Sequence, residues 1–114
     1  MECFVLSADL MFASQASGAA ISAGCPSKTV GRIDAVVTDG AHMVVLDLTM
    51  PSLHILDAVT KLKERGAIVV AVGPHVHEEK LNAAKEAGAD HVVTKGQASR
   101  ELPGLLGQIV HDQR

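Results

Sequence analysis

The sequence predicts an α/β chain built on a parallel sheet of five strands, and two observations carry that prediction. Short, nearly uninterrupted apolar runs recur at "CFVLSA" (3–8), "HMVVLDL" (42–48) and "AIVVAV" (67–72), as expected of strands buried on both faces. Between them lie longer segments whose apolar residues return at helical spacing and which stop at glycine. Such alternation implies a parallel sheet covered on both sides, with right-handed crossovers.

Each element has its own signal. Residues 3–8 read as the first buried strand. Residues 10–23 have helical spacing and close at Gly24 and Pro26. "SKTVGRI" (27–33) is a candidate edge strand, and a short helix over 32–40 ends at Gly40. After the strand at 42–48, Leu53, Leu56, Val59 and Leu62 give a one-sided helix that stops at Gly66. The strand at 67–72 ends at Gly73-Pro74. Helix 77–87 opens on Glu78-Glu79, which suits the positive end of a helix dipole, and closes at Gly88. "DHVVTK" (90–95) is the fifth strand. In helix 99–111, Leu102, Leu105, Leu106, Ile109 and Val110 form an amphipathic stripe, with Pro103 in the first turn. The sum is (βα)5 over residues 1–114, one domain, with two helices on one face and three on the other. The expected architecture is a flavodoxin-like three-layer sandwich of strand order 2-1-3-4-5, in which function gathers at the carboxyl ends of the strands.

Composition removes several function classes. Phe4 and Phe12 are the only aromatic residues, so the core is aliphatic and the stacking platforms used on nucleic-acid bases are missing. A net charge of −3 without a Lys/Arg cluster gives no electrostatic footprint for nucleic acid or an anionic membrane. No uncharged stretch is long enough to span a bilayer. The start lacks a basic segment, and Glu2 and Asp9 interrupt its apolar run, so it does not read as a signal peptide. Cys3 and Cys25 have neither metal-ligand spacing nor a C-x-x-C pairing and read as reduced core thiols, which suits a cytoplasmic chain.

The stretch "VVLDLTMPSLHILDA" (44–58) puts a lone carboxylate, Asp47, at the end of a buried strand just before a proline turn. It resembles the phosphoacceptor strand of the receiver domain of bacterial two-component response regulators (CheY-like). "EAGADHVVTKG" resembles the segment that ends on that family's lysine, and the two motifs have the family's separation. The resemblance covers nearly the whole chain. It implies that Asp47 is the candidate phosphoacceptor and Lys95 the lysine that pairs with phosphoryl oxygens, with a histidine kinase or downstream effector as partner and homodimerisation as a further expectation.

Receiver chemistry brings a phosphoryl donor to a carboxylate that repels it, and a Mg²⁺ ion held by further carboxylates offsets the repulsion. Here the acidic pair falls on Ser7 and Ala8; Asp9, one place later, is the remaining candidate Mg²⁺ ligand. The switch hydroxyl aligns with Val72 and the switch aromatic with Val92. The loop glycines align with Ser52 and Ile55, and the proline after the lysine with Gly96. These departures point to a degenerate pseudo-receiver: a protein-interaction module that is not an enzyme, has no cofactor and needs no normal Mg²⁺-dependent phosphorylation. The alternatives are a working single-domain response regulator phosphorylated on Asp47, and another flavodoxin-like ligand domain such as a cobalamin-binding domain. "SADLMFAS" lacks the D-x-H-x-x-G loop of the latter. His54, His75 and His77, near Asp47, raise a transition-metal site as a further possibility, while His42, His91 and His111 read as surface or strand-end residues. The side formed by helix 77–87, strand 90–95 and helix 99–111 is the expected docking surface, because the last helix carries more aliphatic residues than one packed face covers.

Overall fold

The computed structural model describes residues 1–37 and 40–113. Five strands form one parallel sheet in the order β2-β1-β3-β4-β5. They are β1 (Glu2–Leu6), β2 (Ser27–Val30), β3 (His42–Asp47), β4 (Ile68–Gly73) and β5 (His91–Thr94). Four α-helices connect and cover them: α1 (Leu10–Ser22), α2 (Ile55–Glu64), α3 (Glu78–Ala87) and α4 (Lys95–Asp112). The predicted architecture and strand order are therefore those observed.

The core lies in two layers, one on each face of the sheet. Alternate residues of β1, β3 and β4 (Val5, Met43, Val45, Val70 and Val72) pack beneath α1 and α4, with Phe12, Ala16, Leu102 and Leu106. The other set (Phe4, Leu6, Val44, Leu46, Val69 and Ala71) packs beneath α2 and α3, with Val59, Leu62 and Ala84. All six residues of β3 are buried, which is why its sequence carries no alternation.

Several expectations need correction. Instead of a helix over 32–40 there is a single 3-10 turn, Ile33–Ala35, which sets two α-helices on each face among the described residues; Thr38 and Asp39 of that expectation lie outside them. The last helix starts at Lys95, not 99. Thr94 accepts from the Gln97 N–H and the Gln97 side chain accepts from the Thr94 N–H, a reciprocal cap that begins the helix directly at the end of β5. Pro103 consequently lies inside α4. The expected aliphatic surplus on that helix is absent: Leu102, Leu106 and Ile109 are buried, and Leu105 and Val110 pack against the same cluster. His42, read as a surface or strand-end residue, begins β3 and is buried there, with its ring edge-on to Phe4 and its Nδ1 3.1 Å from the Gly40 carbonyl.

Cys3 and Cys25 are both buried and free. Burial, with Cys25 nearby, pushes the Cys3 thiol up to about 12, and burial also raises Cys25. Both are inert core groups rather than nucleophiles.

Candidate functional site

The site forms at the carboxyl end of the sheet, where β1 and β3 run side by side. Leu6 is in register with Leu46, so Ser7 and Asp47 stand next to each other as the two strands end. The Ser7 hydroxyl donates to Asp47 Oδ2 at 2.7 Å. The chain then turns at Thr49, whose backbone N–H (2.9 Å) and hydroxyl (2.6 Å) both donate to Asp47 Oδ1. This local turn closes on its own carboxylate. Asp47 is 1% exposed, so three donors replace the water it has lost.

Lys95 supplies the charge. As the first residue of α4 it places its Nζ 3.8 Å from Asp47 Oδ1 and 3.8 Å from Asp9 Oδ2. Both distances exceed hydrogen-bond range, so the ammonium sits between two carboxylates as an ionic bridge. It also lies 5.2 Å from the centre of the Phe12 ring, a further electrostatic anchor. Asp9 has a second duty: its Oδ1 accepts from Met11 N–H (2.9 Å) and Phe12 N–H (3.3 Å) and caps α1.

Asp47, Lys95 and Asp9, the three site residues named from the sequence, thus converge. The sequence reading missed the solvating roles of Ser7 and Thr49. A signal for each was present: a hydroxyl level with the carboxylate on the neighbouring strand, and an Asp-x-Thr spacing that favours a closed turn.

The donor set does not fit Mg²⁺, which wants a near-octahedral shell of oxygen ligands that includes carboxylates and water. Ser7 gives its proton to Asp47, one Asp9 oxygen is committed to the helix cap, and an ammonium lies between the two acids. Among the described residues no three His, Cys, Asp or Glu side chains are grouped to hold a metal ion, His54, His75 and His77 included. His54 and His77 occupy the N-cap positions of α2 and α3 without side-chain capping bonds. At the switch positions, Val72 is buried in register with Asp47, and Val92 is partly buried against the α2–α3 layer. Ser52, where a glycine was expected, holds a left-handed backbone at φ 59°.

Comparison with solved structures places the fold. The receiver domain of the TMAO respiratory response regulator TorR superposes with a TM-score of 0.83 at 16% identity, covering 97% of each chain. A response regulator receiver protein from Pseudoalteromonas atlantica gives 0.83 at 11% identity, covering 100% of both chains. The beryllofluoride-activated NtrC4 receiver domain, described as a dimer, gives 0.79 at 15% identity, covering 99% of this chain and 98% of that one. At these identities the likeness is one of fold. No curated protein matches the sequence. The family model described as "Aldolase: KDPG and KHG aldolase" matches residues 19–106, a span that leaves out Ser7 and Asp9. By sequence over residues 19–106 the chain belongs to this KDPG and KHG aldolase family, and it carries that sequence on the five-stranded fold of receiver domains.

Proposed function

We propose that the chain is a receiver-like signalling module of a two-component or phosphorelay-type system, acting as a pseudo-receiver that docks on another protein without Mg²⁺-dependent phosphorylation. The observation that carries this reading is the closed state of Asp47: it is 1% exposed, and both of its oxygens accept hydrogen bonds from Ser7 and Thr49. A nucleophilic carboxylate must present a free oxygen to the phosphorus atom, with a cation to offset its charge. In this site Lys95 already occupies the space between the acids, and the Ser7 and Thr49 donors hold Asp47 in one conformation. Incubation with acetyl phosphate and Mg²⁺, followed by intact mass, tests the reading. The expected result is an unchanged mass. A stoichiometric gain of one phosphoryl group that Asp47→Asn abolishes would establish a working response regulator instead.

The family match favours a second reading, aldol chemistry, in which a lysine forms an imine with a carbonyl substrate. Function rests on the site rather than on family or fold. Lys95 is held between two carboxylates, and two cavities, of about 430 Å³ and 360 Å³, are lined by neither Lys95 nor Asp47. The larger, about 430 Å³, is lined by Asp34, Val36, Val37, His42 and Arg65. We therefore read the chain as non-catalytic. Borohydride reduction in the presence of a 2-keto acid such as pyruvate should leave its mass unchanged; a covalent adduct mapped to Lys95 would support the aldolase reading.

A further inference from the structure

We propose that the outer face of α1 is a self-association surface, on which two copies of the chain pack their α1 helices antiparallel about a two-fold axis. Among the described residues, six large apolar side chains are strongly exposed, and three belong to α1: Leu10 (84%), Met11 (85%) and Ile21 (65%). The helix, LMFASQASGAAIS, has no charged residue, whereas α2, α3 and α4 each carry several. Its buried side is Phe12, Ala13, Ala16, Ala19 and Ala20. Leu10, Met11, Ser14, Gln15, Gly18, Ile21 and Ser22 are exposed, and at helical spacing they share one stripe about 140° wide.

The absence of charge selects the occupant. A charged partner would lose its hydration against this stripe and gain no counter-charge in return. The covering surface must therefore be uncharged and largely apolar, and among the described residues α1 is the one helix that offers such a face. Self-pairing is also geometrically consistent. In an antiparallel arrangement centred on position 16, Leu10 faces Ser22, Met11 faces Ile21 and Ser14 faces Gly18. Each large side chain in the first turn thus meets the last turn of the other copy, and the small residues meet at the centre. A Cβ built on Gly18 has no heavy atom within 4 Å, so the centre of the stripe is open to close approach. Such a contact is isologous, as a two-fold interface requires. A helix of this length is only about 20 Å long, so the interface is smaller than that of a standard permanent complex and the dimer is concentration-dependent.

Sedimentation velocity of the whole chain, from about 10 µM to about 1 mM, tests the proposal, because that range spans the affinities expected of small interfaces. The expected result is a monomer–dimer shift that Met11→Lys and Ile21→Glu each weaken at least about tenfold. The double variant Met11→Lys/Ile21→Glu, which sets each Lys against the partner copy's Glu, should recover part of the loss. Both positions are exposed, and unchanged circular dichroism verifies that the variants fold. A monomer throughout the range, a dimer indifferent to both single changes, or a double variant no better than either single one would overturn the proposal.

Discussion

The Ser7 hydroxyl lies 2.7 Å from Asp47 Oδ2, bridging the ends of two neighbouring parallel strands. The register of β1 and β3 carries position 7, just past the end of β1, beside the carboxylate, so its residue type bears on what Asp47 can do. A hydroxyl there neutralises nothing but completes the solvation of a buried anion. A second carboxylate would repel Asp47 and create a demand for a cation. Ser7→Asp is accordingly expected to lower stability by about 1–3 kcal/mol without divalent ions. Millimolar Mg²⁺ should return part of that loss. Thermal melts of both proteins with and without Mg²⁺ check this; a Mg²⁺ response in the original chain equal to that of the variant would contradict the closed-site reading.

Removing members of the cluster should not cost equal amounts. Asp47→Ala leaves the Ser7 hydroxyl and the Thr49 N–H and hydroxyl without their acceptor, and leaves Lys95 with the half-exposed Asp9 and the Phe12 ring. The expected cost is about 3–5 kcal/mol. Asp47→Asn keeps one carbonyl acceptor and should cost less. Lys95→Met leaves Asp47 still fully hydrogen-bonded and removes two 3.8 Å ionic contacts and the contact with the Phe12 ring, all at a partly exposed side chain, so about 1–2 kcal/mol is expected. Urea unfolding at neutral pH gives the order; a Lys95→Met loss exceeding that of Asp47→Ala would show that the ion pair, rather than the hydroxyl shell, holds the site.

The fold was legible because its signals are long and physical. β3 and β4 are apolar at nearly every position, and Gly24, Gly66 and Gly88, which close their helices, all take positive φ. What was not legible depended on local hydrogen bonds. Lys95 reads from the sequence as the end of the fifth strand, which delays the expected start of α4, yet the reciprocal Thr94–Gln97 cap begins the helix at that residue. The expected helix over 32–40 is only one 3-10 turn, and Arg65 donates to the carbonyls of Ile33 and Val36 around it, a long-range contact that no periodicity announces. At the site the charged members could be named from their motifs. The signals of the two hydroxyls were weaker, because Ser and Thr at strand ends have many ordinary uses and do not stand out.

Cys3 gives a pH prediction. Its thiol is 1% exposed, and burial followed by the nearby Cys25 raises it from 9.0 to about 12. The folded chain therefore keeps a proton that the unfolded chain releases. The stabilising effect is full below pH 9.0 and is lost as the pH rises toward 12, at up to about 1 kcal/mol per pH unit. Cys3→Ala is less stable at pH 8 because it leaves a small cavity, but its stability should fall less between pH 8 and pH 10 than that of the original chain. Parallel urea midpoints at the two pH values test this slope, and equal slopes would mean that the thiol titrates freely.

Two glycines should respond with opposite signs to the same substitution. A Cβ on Gly73 would stand 3.2 Å from Leu48 Cβ and 3.3 Å from Leu48 Cδ1. Leu48 is 1% exposed and sits between Asp47 and Thr49, so it cannot yield without moving the turn that closes on the carboxylate. Gly73→Ala is expected to cost about 1–3 kcal/mol through overpacking. Gly104, exposed in α4, has no heavy atom within 4 Å of its built Cβ. There the methyl group meets nothing, and the change only removes glycine's backbone freedom from a helix, so Gly104→Ala should stabilise by about 0.5–1 kcal/mol. Thermal melts of the two variants decide the matter. If Gly73→Ala is neutral, Leu48 has room to shift, and the Asp47–Thr49 turn is looser than its hydrogen bonds imply.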